Sequence, residues 1–416
     1  MTAVPSAELI ERGRLGLFAD WVAVAVAVSL PWSTSATGIL IALWLIAMLP
    51  ALNAAAVRRE LASAAGGLPV ALWAFALVGM LWATVSWSER FDGLDGFNRL
   101  LVIPLLLAHF RRSPNGIWVL FGFLASSLAL LLLSFALALT PGLSWRGKTL
   151  GVPVKDYILQ SEIFLICAFA LLDRAFHYWR GKSVWSAVGL VALAVLFLAD
   201  IAFVAAGRTV FLVAPVLTLM LGWRYFGLKG LIGASLFGLI VTVTVYFGSP
   251  YLHQRLQTSI TELEGFRTSD AMTSTALHLE LLAKSLSFVA TAPVIGHGTG
   301  SIGEQFRHAA AQQTGLAALV SVNPHDQILA VAIQLGVMGA LVLLAMWGAH
   351  VMLFRGDGFA AFTGMIAVVE NVIACLFNSH LFDFTQGWLY VFAVGVAGGM
   401  VLREHKSACA RLAAEP

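Results

Sequence analysis

Ser321-Val322-Asn323-Pro324-His325-Asp326-Gln327-Ile328-Leu329 opens a long apolar run that passes through Gly336 and Gly339 to about residue 350. The pattern reads as the start of a membrane helix. Asn323 is a favoured N-cap type, and Pro324 suits the first helical position, where no N–H is needed. His325 then falls in the first turn. The positive end of the helix dipole disfavours a second positive charge there, which holds the imidazole neutral. Two readings of His325 stand. A neutral imidazole at the mouth of a membrane helix can serve as a general base. It can also be a polar interfacial residue that satisfies its neighbours.

Working outward, 59% of the 416 residues are hydrophobic and 11% are charged. Soluble domains carry roughly 25% charged residues, so the composition is that of an all-α, polytopic integral membrane protein. A net charge of +3 carries no nucleic-acid signature. Cys167, Cys375 and Cys409 are isolated, so neither a disulfide nor a metal site is expected. The first apolar run follows Arg12 and Arg14 and ends in Leu30-Pro31-Trp32-Ser33 without a small-x-small cleavage pattern. It reads as an uncleaved anchor.

Apolar spans fall near 16–33, 36–55, 67–87, 97–110, 115–139, 158–175, 184–204, 208–224, 229–248, 325–350, 358–378 and 384–402, about twelve in all. In lipid each must be helical to satisfy its own backbone. This divides the chain into spans one to nine (1–248), one large loop (249–322), spans ten to twelve (323–403) and a tail (404–416). With the N-terminus in the cytoplasm, fifteen of the 25 basic residues lie on that side, among them Arg58, Arg59, Arg111, Arg112, Arg403 and Lys406. Arg90, Arg99, Arg146, Lys148, Lys155 and Arg208 lie in or beside short connections on the other side. The bias places both termini in the cytoplasm and the large loop on the far side.

The unusual sequence lies on that far side. The loop holds an amphipathic helix that starts after Thr273-Ser274-Thr275 and stops before Pro293, with Glu280 and Lys284 paired at i,i+4. Pro293-Val294-Ile295-Gly296-His297-Gly298-Thr299-Gly300-Ser301 follows. Its glycines allow either a tight turn or an anion nest. Arg208, in the short hairpin Ala205-Ala206-Gly207-Arg208-Thr209, either snorkels to headgroups or clamps a phosphate. Arg146, Lys148 and Lys155 form a third basic cluster, which is either a solvated loop or an anion site. Asp200 and Glu370 are carboxylates inside spans, where such groups mark ion pathways by default. Asp200 could instead neutralise a basic site beneath Arg208.

Three segments, in order, give the chain a resemblance to the O-antigen ligase and O-antigen polymerase superfamily of bacterial inner-membrane proteins. Gly207-Arg208-Thr209 is similar to that superfamily's Ser/Gly-Arg-Thr hairpin. Residues 293–301 are similar to its glycine stretch after a loop helix. His325 with Leu329, Gly336 and Gly339 is similar to its helix start. Two departures matter: Asp326 stands where Asn usually follows the His, and His278 stands where a second Arg is common.

The resemblance implies a membrane glycosyltransferase of the ligase branch with no cofactor and no metal. Its donor would be O-antigen on undecaprenyl pyrophosphate, and its acceptor a sugar hydroxyl of lipid A-core, with membrane lipids around it. The site would face the periplasm, with twelve helices and the large periplasmic loop before the tenth. His325 would be the base and Arg208 the pyrophosphate clamp. Further substrate contacts would come from His278, Arg267, Lys155, Arg146 and Arg99, with Lys284 an alternative second cation. A single base without a carboxylate nucleophile points to inversion. The nearest alternative is the polymerase of the same superfamily. A secondary transporter using Asp200 and Glu370 is a third, although no inverted repeat is visible.

The charge bias generates a direct test. A reporter that is active only outside the cytoplasm should be active when fused within 255–320, and inactive when fused after Arg180 or Arg355. The opposite pattern would put Arg208 and His325 on the cytoplasmic side.

Overall fold

The computed structural model describes residues 7–140, 142, 150–205, 207–248 and 274–412. Among these every regular element is a helix. The order is α1 (Ala7–Ser29), α2 (Thr34–Met48), α3 (Ala54–Leu61), α4 (Ala64–Gly79), α5 (Trp87–Asn98), α6 (Val102–Phe110), α7 (Gly116–Leu139) and α8 (Tyr157–Arg180). There follow α9 (Val184–Phe203), α10 (Val210–Gly248), α11 (Ser274–Thr291), α12 (Ile302–Ala310), α13 (Gln327–Leu353), α14 (Phe359–Ala374), α15 (Phe384–Phe392) and α16 (Gly398–Leu412).

Six helical stretches are long and apolar enough to cross a membrane, or seven if the bent pair α3–α4 is one span. That fits a polytopic membrane protein. The remaining expected spans differ for physical reasons. Helices α1 and α8 are long enough but carry charge along their length, including Asp20, Glu162 and Asp173. Helices α2 and α14 have 15 and 16 residues, short of the usual requirement of about 20. Span four begins earlier than expected because Ser86 and Glu89 form a capping box at the start of α5, which a 3-10 turn joins to α6. Within α10 the backbone leaves the helix at Gly227, and Gly222 comes against Gly230. The chain therefore folds back there, between the two spans expected on either side. The terminal helix runs on to Leu412.

Two apolar clusters form the interior. One joins α1, α2 and α4–α6 to α13–α16 around Trp44, Phe97, Phe110 and Tyr390. The other joins α7–α10 to α14 around Phe164 and Phe197. A smaller cluster, with Phe288 and Phe306, packs α11 and α12 on the first half of α13.

Helix α13 is broken. Gly336 has φ 65° and ψ −168°, so backbone bonding stops there inside an apolar helix. Segment 293–298 fills the gap. His297 N–H donates to the Ile333 carbonyl and Gly298 N–H to the Gln334 carbonyl, each at 2.9 Å. Beyond the break, Val337 N–H donates to Pro293 O at 2.8 Å and Met338 N–H to Val294 O at 3.3 Å. Non-helical backbone at membrane depth survives only where protein satisfies it, and here it does.

The glycines permit this contact. Gly296, Gly298 and Gly336 all have positive φ, and a Cβ on Gly298 would lie 2.5 Å from Ala83 Cα. Gly298→Val should therefore lower the detergent-solubilised melting temperature or prevent accumulation, at a cost of ~1–3 kcal/mol or more. Gly348→Ala, in open helical surroundings of the same α13, should be neutral or slightly stabilising. Equal effects in thermal unfolding would refute this account of the break.

Candidate functional site

Helix α13 starts later than its sequence suggests. Asp326 is the N-cap, and its Oδ1 accepts from Leu329 N–H at 2.8 Å. Asn323 has another task. Its Oδ1 accepts from His325 N–H and from Ser379 Oγ, both at 2.8 Å, and its amide donates to Asn378 Oδ1 at 2.9 Å. Pro324 is thus outside the helix, and His325 precedes the cap rather than sitting in the first turn. These bonds hold His325 at φ 56°, a left-handed conformation rarely adopted by a non-glycine residue.

The partner segment is 378–386, between α14 and α15. Leu381 N–H donates to Gln327 Oε1 at 3.0 Å, and Gln327 N–H donates to the Cys375 carbonyl at 2.8 Å. Asn378 also hydrogen-bonds the His325 side chain. On the other side, the His278 ring of α11 lies 5.1 Å from the His325 ring, centroid to centroid. Burial lowers the His325 pKa from its ordinary value, and His278 lowers it further, against an opposing pull from Asp383. The imidazole is neutral near pH 7, as its position suggested, but through burial rather than a first-turn dipole. Burial also raises the Asp326 carboxyl above its ordinary value.

Segment 378–386 collects groups that the spacing of apolar spans did not single out. His380 is buried, with Nε2 3.2 Å from Glu162 Oε1 on α8 and Nδ1 3.2 Å from Asp383 Oδ2. Neither contact is aligned as a hydrogen bond. Asp383 is half-buried and also accepts from Asn378 Nδ2 at 3.3 Å. The available signal was the polar run Asn378-Ser379-His380 wedged between two apolar spans.

The expected cations divide. Arg99 is buried, and its guanidinium donates to the carbonyls of Phe382, Asp383 and Phe384. It props the segment beside His325. Lys155 Nζ donates to Leu30 O and Thr385 Oγ1, both at 2.6 Å, from a residue that also has φ 56°. Burial lowers its pKa to about 8. Lys284 Nζ donates to Ala317 O at 2.6 Å and lies 3.4 Å from Glu280, the pair expected on the loop helix. It is committed to the loop. Arg146, Lys148 and Arg267 lie outside the described residues.

Arg208 is exposed, and no side chain among the described residues pairs with its guanidinium. Its hairpin is fixed by Gly207, where a Cβ would clash with Ser161 Oγ. Ser161 adjoins Glu162, so the first turns of α8 join the Arg208 hairpin to the His380 segment. Among the described residues Asp200 pairs with no cation. It accepts from Ser134 Oγ and from Gln160 Nε2, and its carbonyl accepts from Val204 N–H and Ala205 N–H. It anchors the hairpin. Glu370 is buried on α14, and its Oε1 has no hydrogen-bond partner among the described residues.

The glycine stretch is a weld, not an anion nest. The N–H groups of His297, Gly298 and Thr299 all donate to backbone carbonyls. Gly300 N–H donates to Gln334 Oε1 at 2.8 Å, and Thr299 Oγ to Ala76 O at 2.6 Å. Among the described residues no group of three or more His, Cys, Asp or Glu side chains is placed to hold a metal ion.

Residues 193–344 match the model of the O-Antigen ligase family. The match runs from α9 into α13 and contains Arg208, His278, the glycine weld and His325. It supports the superfamily resemblance on the same segments that carry it. Arg99, Lys155 and 378–386 lie outside it. Among curated proteins no match was found.

The two-histidine arrangement has a measurable consequence. In an NMR titration His325 should change charge below pH 6.5, its ordinary value. His278→Ala should move that midpoint upward, because it removes both a like charge and part of the burial. An unchanged midpoint would separate the two rings.

Proposed function

We propose that this protein is an O-antigen ligase. It moves O-antigen polysaccharide from undecaprenyl pyrophosphate to a sugar hydroxyl of lipid A-core, at the periplasmic face of the inner membrane. The observation that carries the reading is the family match over 193–344, with His325 held neutral at the mouth of α13 inside the matched segment. A ligase needs a neutral base at a membrane boundary and a cation for a departing pyrophosphate. His325 and the exposed Arg208 have those properties.

The chemistry balances with these groups. His325 takes the proton of the acceptor hydroxyl as its oxygen attacks the anomeric carbon. The bond from that carbon to the pyrophosphate oxygen breaks, and the lipid pyrophosphate leaves with the electron pair. The Arg208 guanidinium, on its held hairpin, offsets the charge that develops on it. No carboxylate nucleophile enters, so the anomeric configuration inverts. His278 stands beside the base, where it keeps the imidazole neutral and contacts substrate. Positive charge for the pyrophosphate comes from the protein, so no metal is needed.

The test uses purified protein, lipid-linked donor and lipid A-core acceptor with EDTA present. Wild type should turn over. His325→Ala should lose about 10²–10⁴-fold. Arg208→Lys should retain little, because a point charge does not reproduce a bidentate fork. Near-wild-type turnover by His325→Ala, or arrest of the wild type by EDTA, would end the proposal. In cells, core without O-antigen in a deletion strain marks a ligase. A single repeat unit on core marks the polymerase.

A further inference from the structure

The opposite end of the bundle carries a second charged feature. Ala65, at the start of α4, accepts from His350 near the end of α13, whereas Gly79 at the other end of α4 meets Thr299 of the glycine weld. The start of α4 is therefore remote from His325. Just before it, α3 is bent 82° from α4, as expected for a helix lying along a membrane surface.

Against α3 lies a cavity of about 290 Å³, lined by Asn53, Ala55, Ala56, Arg59, Arg111, Arg112 and Lys406. The charge around it is unbalanced. Buried Glu60 lies 3.0 Å from Arg59 Nε and 3.0 Å from Arg111 Nη1, which fixes those two guanidinium groups at the wall. Among the described residues Arg112 and Lys406 have no ion-pair partner, and both are exposed. Four cations thus meet one carboxylate. Like charges gathered around one cavity repel unless an anion joins them.

The surroundings indicate which anion. Ile46 and Leu49, at the end of α2 that leads into Asn53, are 64% and 65% exposed. An apolar surface running up to a basic cavity beside a surface-parallel helix matches a phospholipid, with tails on the apolar side and phosphate in the cavity. This is also the end with the basic excess, which faces the leaflet whose anionic lipids attract such clusters. We infer that the cavity between α3, the end of α6 and α16 binds the phosphate of an anionic phospholipid headgroup.

Native mass spectrometry of the full-length protein in detergent tests this. Phosphatidylglycerol should bind as a discrete adduct, and phosphatidylcholine with the same chains should bind much more weakly. Arg112→Gln combined with Lys406→Gln should weaken phosphatidylglycerol binding roughly tenfold or more, with phosphatidylcholine adducts unchanged. Neither residue is buried, so the fold should persist. Lys406→Gln alone should give a smaller loss in the same direction, and Arg112→Lys should bind nearly as wild type. Unchanged phosphatidylglycerol binding in the double variant would overturn the inference, as would equal binding of the two lipids. Displacement of phosphatidylglycerol by equimolar inorganic phosphate would assign a free phosphate instead, and would also overturn it.

Discussion

The break in α13 is the constraint on which the rest depends. An apolar helix that stops bonding at Gly336 exposes carbonyls before the break and N–H groups after it. In lipid each unsatisfied group costs several kcal/mol. Segment 293–298 answers both sets at once, and Thr299 continues into the end of α4. One short glycine stretch thus fixes α4, the end of α11 and the first half of α13 relative to each other. That first half carries Asp326 and, immediately before it, His325. The position of His325 is inherited from backbone bonding remote from its own side chain.

The same logic explains which parts of the site were legible. His325, Arg208 and residues 293–301 announce themselves because they are short polar or glycine-rich interruptions of apolar sequence. The i,i+4 pair Glu280–Lys284 was readable because it is local, and it forms. The cap of α13 was misplaced because Asn323 and Asp326 are equally good N-cap types. The choice between them was made by Ser379 and Asn378, some 55 residues away in sequence. Sequence distance also hid the role of His380, whose neighbour Glu162 on α8 meets it only in the fold. Arg99 was legible as an unusual cation but not in its role, because what it bonds is the backbone of 382–384.

Charge has different work at the two ends of the bundle. On the His325 side the buried Arg99 and the half-buried Lys155 are spent on structure, Arg99 on carbonyls and Lys155 on Leu30 and Thr385. Burying a cation is expensive unless oxygen acceptors replace its water, and these acceptors do so. Arg208 is different, because its guanidinium is exposed on a hairpin held by Asp200 and Gly207. A rigid support beneath an exposed cation suits a ligand that arrives with its own negative charge.

The exchange of Asn for Asp at 326 can be judged on the same terms. A carboxylate at an N-cap is favoured by the helix dipole and accepts the Leu329 N–H as an amide oxygen would. It also places an acidic group one residue from His325, and a carboxylate favours imidazolium. The His325 imidazole is pulled the other way, first by its own burial and then by His278. The histidine at 278, where a second arginine is common, is thus compatible with the acid at 326. The two departures from the superfamily pattern adjoin one ring, and burial first and His278 second lower its pKa.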